Sequence, residues 1–466
     1  MIDPVVEKDC KPATSVIDEL LNQTGFGWFQ IRLCLLCSMG YFAVGSELLT
    51  MVMTQAGVMD TFQIRSSLEF SWLPFTANLA SFLSAILVGK WSDLYGRKWP
   101  FIACIALSTV FALLCALASS WTWLVLFRGL VGFGLGGIAV VDFVVLVEVC
   151  PINWRNTACQ IVFVSGCLGV IYVALLTQIP WESALPSIES WRCMMFAGAL
   201  PLLATIALRA IVSTDTPKFL VTTGHITEAY NLVARIARTN KREAHIALSL
   251  EEFTDRVTQE QLLAAKKDER GQLKQALNMR VTGPLAVVWM IQSMVYWGLT
   301  TFLPIFLSSA GISPGTGLLY MGVAELPGVV VATIISQRRS RQYALIVCFL
   351  LSFVGAMLTG TALSLEWPKA ILVSSVSLFY MFLIPVWGVL FVMTPELYPV
   401  KLRGSAVGFH HMCKSIPSLI APFIGAAILE ANSPDVFMYV WAAIIGGGVA
   451  LSVWLHILSS HGHNVV

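Results

Sequence analysis

Charge is what this chain has least of. Only 12% of its 466 residues are charged and 57% are hydrophobic, against roughly a quarter charged in soluble domains. That excludes a water-soluble globular protein and implies a polytopic membrane protein. Phe70–Val88 and Trp99–Phe127 contain no charged residue at all, and about 20 apolar residues suffice for one span. A net charge of +2 is no signal of nucleic-acid binding, and no such partner is expected. There is no Walker phosphate loop, no nucleophile–base constellation and no metal-spaced His/Cys cluster outside the apolar runs, so neither an enzyme, a cofactor nor a metal site is expected. The eleven cysteines are odd in number and mostly sit inside apolar runs. Cys34-x-x-Cys37 therefore reads as membrane packing, and no disulfide framework is expected. Met1–Gln30 lacks a short apolar core beside a small-residue cleavage site, so the first apolar run is expected to remain as an anchor.

Six apolar runs precede residue 212, at roughly 31–55, 70–89, 99–119, 122–147, 157–180 and 192–212, and six follow at roughly 283–308, 315–336, 343–363, 369–394, 405–429 and 436–459. This predicts an all-α protein of 12 transmembrane helices in two six-helix bundles. The segments are 1–30 (N-terminal), 31–212 (first bundle), 213–282 (central loop), 283–459 (second bundle) and 460–466 (tail). Bases concentrate in alternate loops, with Lys90, Arg97 and Lys98, then Arg155, then Arg338, Arg339 and Arg341, then Lys401 and Arg403. The positive-inside rule places those loops and both termini in the cytosol. The sequon Asn22-Gln-Thr24 would then stay unmodified. In the central loop, Ile226–Ala237 and Leu262–Leu277 have apolar residues at helical spacing, which predicts amphipathic helices on the cytosolic face.

Between two of the uncharged runs lies Gly89-Lys-Trp-Ser-Asp93-Leu-Tyr-Gly96-Arg97-Lys98, a polar turn whose glycines and charges suit a hinge or latch between helix ends. A second element recurs. Glu148-Val-Cys-Pro-Ile-Asn-Trp-Arg155-Asn-Thr-Ala158 returns as Glu396-Leu-Tyr-Pro-Val-Lys-Leu-Arg403-Gly-Ser-Ala406, four of eleven positions matching. The turn has an eroded partner at Ser336–Gln342, where Gln337 stands for Asp93, Ser340 for Gly96 and Arg341 for Arg97. Parallel six-helix repeats are how many rocking transporters are built, with substrate held between the halves.

The turn after the second run resembles the signature loop of the major facilitator superfamily, and Arg128-Gly-Leu-Val-Gly132-Phe-Gly134-Leu-Gly136-Gly137 is similar to that superfamily's fourth helix. Thr214-Asp-Thr-Pro217-Lys218-Phe-Leu220 resembles the element after helix 6 of sugar-porter-like members. Gly25-Phe-Gly27-Trp-Phe29-Gln30 and Glu325-Leu-Pro327-Gly328 resemble the synaptic-vesicle-2-related group, neighbours of organic cation, organic anion and aromatic-acid carriers. Val44 stands where many relatives carry an aspartate, which argues against cation binding or proton coupling there. The resemblance implies a cytosolic gating network of Gly89, Asp93, Gly96, Arg97, Lys98, Glu148, Arg155, Lys218, Glu396 and Arg403, latching the halves when the cavity opens outward.

Ionisable residues inside spans are costly and mark function by default. At ~1.5 Å per helical residue, Glu47 on helix 1 and Arg128 on helix 4 reach nearly the same depth, which predicts a pair in the outer half of the first bundle, serving either helix orientation or substrate and proton handling. Glu325 on helix 8 and Lys414 on helix 11 also match in depth. They either bridge each other or face a ligand, Lys414 suiting an anion. His410 and His411 lie about a turn from Lys414, and at most one shares its face. Asp142 in helix 4 suits a proton relay or a helix cap. Tyr296 and Trp297, beside Pro304 in helix 7, are the favoured aromatic patch for the substrate.

These readings lead to a secondary active or facilitative carrier of a small organic solute working by alternating access in the plasma membrane or an intracellular vesicle membrane. An organic anion or aromatic acid is ahead of an organic cation or sugar-like solute, and proton symport is left open. A non-transporting receptor or vesicle component is the rival from another class. The expected partners are the solute, protons and the bilayer, and a monomer is the expected state.

Overall fold

A computed structural model describes residues 15–212, 215–243, 248–266, 279–309, 311–398, 403–431 and 433–460. Among them every regular element is a helix. Hydrocarbon offers no partner for backbone N–H and C=O groups, so an apolar run of this length satisfies them internally as a helix. A short amphipathic helix, α1 (Val16–Thr24), precedes the first span, α2 (Trp28–Met53). The short α3 (Gln55–Thr61) and α4 (Ser67–Phe70) lead into α5 (Trp72–Tyr95), followed by α6 (Lys98–Ala116), α7 (Trp121–Val149) and α8 (Arg155–Leu176). After α9 (Trp181–Ala184), α10 (Ser190–Val212) completes the first six spans. The central segment holds α11 (Pro217–Thr222), α12 (Ile226–Thr239) and α13 (Leu250–Lys266).

The second series runs α14 (Met279–Thr300), α15 (Leu303–Ser309), α16 (Pro314–Arg338), α17 (Arg341–Ser364), α18 (Lys369–Leu383), α19 (Pro385–Glu396), α20 (Arg403–Ala431) and α21 (Pro434–Ser460). Eleven stretches of helix among the described residues are long and apolar enough to cross a membrane, and α14 occupies the remaining place in the series. Two spans are interrupted. The seventh breaks at Thr301 and Phe302, just before the expected kink, so Pro304 enters as the second residue of α15. The tenth resumes at Pro385. A proline in a helix's first turn removes an N–H that has no intrahelical partner anyway, so both breaks restart at little cost.

Within the first half α5 packs on α7, α2 on α8 and α6 on α7. The second half repeats this with α14 on α20 and α17 on both α18 and α21. The halves meet where α8 lies against α16 and α5 against α20. On the face where α2, α6 and α8 begin, here the basic face, α1, α11, α12 and α13 form a separate small core. It buries Leu20, Leu21, Val233, Ile236 and Phe253 against Val149 at the end of α7. The expected helix over Ile226–Ala237 is α12. The second expected patch begins inside α13, which starts earlier, at Leu250, and its residues 267–278 lie outside the described ones. Helix α1 falls in a segment whose sequence reads as mostly hydrophilic. Its apolar residues Ile17, Leu20 and Leu21 occupy one narrow face, enough to bury against α12.

The polar turn is shorter than its sequence suggests. Helix α5 continues through Gly89 to Tyr95, and only Gly96 and Arg97 separate it from α6. Gly96 has φ +91°, a left-handed conformation that favours glycine. Gly89 is helical, and a Cβ there would meet nothing within 4 Å. Glycine has a packing role on α7 instead. A Cβ on Gly132 would lie 2.6 Å from Ala77 Cα on α5, and one on Gly134 would strike Ser108 on α6, so α7 is pressed between two helices. Gly129, a turn before, faces Thr76 at 3.8 Å, an ordinary contact. Gly132→Ala should therefore cost about 1–3 kcal/mol through overpacking and lower the detergent melting temperature, whereas Gly129→Ala should melt within a degree or two of the native protein.

Candidate functional site

A cavity of about 180 Å³ lies between the two halves. An apolar cavity of about 150 Å³ holds a benzene molecule, so this one has room for a single-ring solute. Its wall is mostly aromatic and aliphatic, with Tyr41 and Phe163 from the first half and Tyr296, Trp297, Tyr380 and Trp387 from the second. Among the described residues, the Arg, Lys, Glu and His side chains that reach it are Arg128, Lys414, Glu325 and His411.

The Arg128 charge is already engaged. Its Nη1 lies 2.5 Å from Glu47 Oε1 and its Nη2 donates to the Glu47 carbonyl at 2.7 Å, both side chains being buried. Glu47 Oε2 and Arg128 Nε have no hydrogen-bond partner, so the pair neutralises its charge while keeping polar capacity in reserve. Asp142 is away from the cavity wall. It pairs with Arg209 of α10 beside the Cys37 thiol, and the Arg209 guanidinium stacks 4.1 Å over Phe101. Arg209 is absent from the sequence reading, although an arginine near the end of an apolar run is the signal that a membrane carboxylate has a partner within reach.

The other two charges are not paired with each other. Among the described residues no ion pair joins Glu325 to Lys414. Lys414 Nζ sits 5.2 Å over the Trp387 ring, a cation–π contact, while Glu325 lies beside the Cys167 thiol of the first half. Trp387 is braced edge-on by Trp289, whose indole N–H donates to Thr394 at 3.0 Å. Of the two histidines, His411 faces the cavity and His410 is buried against Tyr398 and Phe409. Tyr296 and Trp297 both line the cavity with their rings 5.4 Å apart and edge to face. Thr300 and Tyr380 also stand in the wall, their hydroxyl groups paired with each other.

At the basic face the helix-end charges knit the first half to itself. Arg97 bonds Glu148 at 3.0 Å and Ser92 at 3.1 Å, and Thr216 donates to the second Glu148 oxygen. Asp215 accepts the backbone N–H groups of Arg97 and Lys98 at 2.9 and 3.3 Å. Arg155 pairs with Asp18 of α1, not with Glu148, and Lys218 reaches the same Asp18 oxygen at 2.8 Å. The eroded twin keeps one feature of this network, since Arg341 reaches back to Ser336 Oγ at 2.7 Å as Arg97 does to Ser92. The side chains of Asp93, Glu396 and Arg403 lie outside the described ones. The residues alone give Asp18 no role, and Asp215 appears only within the motif after the sixth run, because both are short acids in segments whose pattern says little about their partners.

Contacts between the halves are clearest at the opposite face. Glu430 accepts from Ser66 Oγ at 3.1 Å and from Ser67 N at 2.7 Å. Asn78 donates to the Ser418 carbonyl at 3.1 Å, and Phe423 packs edge-on against Trp72 and Phe75. Nearer the basic face, Phe143 and Phe391 stack at 5.0 Å across the halves.

Two six-helix halves meeting around a cavity with aromatic and charged walls define a membrane transport protein of the repeated-bundle type. The chain belongs to the Major Facilitator Superfamily, whose family profile matches residues 33–422. It is 23% identical over 446 residues to the synaptic vesicle 2-related protein of Xenopus laevis, covering 90% of this chain and 77% of that one. It is 26% identical over 367 residues to the niacin transporter NiaP of Acinetobacter baylyi, covering 78% and 79%. The xylose transporter XylE from E. coli shares the fold at a TM-score of 0.71 and 16% identity, over 93% of this chain and 99% of that one.

Two outcomes follow from the ion pairs. Glu47→Arg or Arg128→Glu alone should cost about 3–5 kcal/mol by leaving a buried charge uncompensated. The double exchange should recover part of that loss, read by thermal melting in detergent. The second concerns Asp18. Burial opposes its ionisation, but Lys218 and Arg155 outweigh burial and hold the carboxyl below its ordinary range. Its contribution is therefore intact above about pH 4 and is lost as pH falls through the lowered value. Asp18→Asn should loosen α1 by about 2–4 kcal/mol at neutral pH, seen as reduced amide protection over Val16–Thr24.

Proposed function

We propose that this transporter carries small organic anions, monocyclic aromatic acids foremost, by alternating access, with the basic face and both termini in the cytosol. The observation that carries this reading is Lys414, a cation on the wall of a one-ring cavity, stacked on Trp387 and without a carboxylate partner among the described residues. A solute carboxylate would complete the charge that the fold leaves open, and its ring would pack among Tyr296, Trp297 and Trp387. The name of the niacin transporter supports the same choice, since niacin is a single-ring carboxylic acid. Glu325, on the same wall and also without a cation partner among the described residues, is the proposed proton site. It suits symport of an acid with a proton, because loading both leaves the cavity nearly neutral before the halves rock.

On this reading the cytosolic network of Arg97, Glu148, Arg155 and Lys218 stiffens the first half, and the Phe143–Phe391 stack is the inner gate. Glu430 and Asn78 hold the outer side shut. The one observation that favours an organic cation instead is Glu325 itself. Proteoliposomes separate the two readings. Nicotinate or benzoate should accumulate when the outside is acidic, Lys414→Ala should reduce uptake at least tenfold, about 1.4 kcal/mol of binding, and Glu325→Gln should abolish the response to the pH gradient. Uptake of organic cations with none of acids would overturn the anion reading, and no uptake of either would overturn carriage of organic ions.

A further inference from the structure

A second cavity, of about 140 Å³, opens at the basic face between α2, the start of α6, the end of α10 and α12. It shares no lining residue with the central cavity, and of its wall only Arg97 belongs to the cytosolic network described above. Among the described residues five bases line it, Arg32, Arg97, Lys98, Arg209 and Arg235, against a single acid, Asp215. The acids nearby are already engaged. Glu148 holds Arg97, Asp142 holds Arg209, and Asp215 accepts two backbone N–H groups. Among the described residues, Arg32, Lys98 and Arg235 have no carboxylate within ion-pairing distance. Three cations without a carboxylate partner therefore border one small space, Lys98 with its Nζ 5.3 Å over the Trp99 ring at the edge. Arg209 adds a buried donor. It is 4% exposed, and its Nε has no hydrogen-bond partner.

We propose that this cavity binds the phosphate of an anionic phospholipid. Guanidinium groups match phosphate oxygens in a forked geometry, and basic pockets between helices at a membrane surface suit lipid headgroups. The surroundings favour a lipid over a soluble phosphate. Leu33, Leu36 and Phe101 continue the cavity wall toward the bilayer, and the same two spans expose Leu35 and Trp99 beside it. A headgroup here would bridge α2, α6 and α12, fastening the small surface core to the spans.

Native mass spectrometry of the full chain in detergent, titrated with phosphatidic acid, phosphatidylcholine or glycerol phosphate, tests the site. Phosphatidic acid should bind roughly 25-fold more tightly than phosphatidylcholine, about fivefold for each of two exposed bases. Each base near an anionic surface contributes roughly fivefold, so Arg32→Gln with Arg235→Gln should weaken phosphatidic acid roughly 25-fold and leave phosphatidylcholine unchanged. Both side chains are exposed, so the melting temperature should hold, and Arg32→Lys with Arg235→Lys should bind within about threefold of the native chain. Equal binding of the two lipids, or no loss in the glutamine double variant, would overturn the proposal. Displacement of phosphatidic acid by an equal concentration of glycerol phosphate would likewise overturn it, in favour of a soluble phosphate ligand.

Discussion

Hydrocarbon tolerates a charge only when something neutralises it or uses it, and the arrangement of this transporter depends on that constraint. Glu47 with Arg128 and Asp142 with Arg209 are neutralised inside the first half, each pair joining helices distant in sequence. Both are buried, and both hold α7, one to α2 and the other to α10. With Gly132 and Gly134 pressed against α5 and α6, α7 becomes the post around which the first half is assembled. The second half has no comparable pair among its described residues. Its two cavity charges, Glu325 and Lys414, stay apart, and that asymmetry is what makes them candidates for a solute and a proton.

The helix-end charges follow a different logic. Those at the basic face tie the first half to α1 and to the segment after α10. Asp18 is the hub, since it takes both Arg155 and Lys218. The small core of α1, α12 and α13 brings that acid into place, so the surface helices are part of the rigid body that would have to rock. Besides the packing of α8 on α16, contact between halves comes from Glu430, Asn78 and Phe423 at one face and from the Phe143–Phe391 stack toward the other.

Much of this was legible in the residues. The superfamily loop, the fourth-helix glycines and the spacing of twelve apolar runs indicated the fold, and depth counting brought Glu47 to Arg128. The same counting placed Glu325 and Lys414 at one level but said nothing of azimuth, and a helix 1.5 Å per residue deep can turn two side chains toward a cavity or toward each other. Partners in poorly patterned segments were the least visible. Asp18 sits on a short helix and Asp215 in the link just before another, and the position of each is set only by what its segment packs against, while Arg209 was hidden at a span boundary where loop and membrane charges look alike.

Sequence by itself determined the class, the number of spans, the repeat and the residues able to carry charge into the membrane, because lipid imposes a length and polarity rule on every span regardless of its neighbours. Tertiary structure decided which charges are spent on each other and which face the central cavity. It also decided that Gly96 and not Gly89 makes the turn, and that Arg155 is held by α1. Those outcomes depend on helix rotation and on contacts between segments far apart in the chain, where a difference of one residue, about 100° around a helix, changes a partner completely.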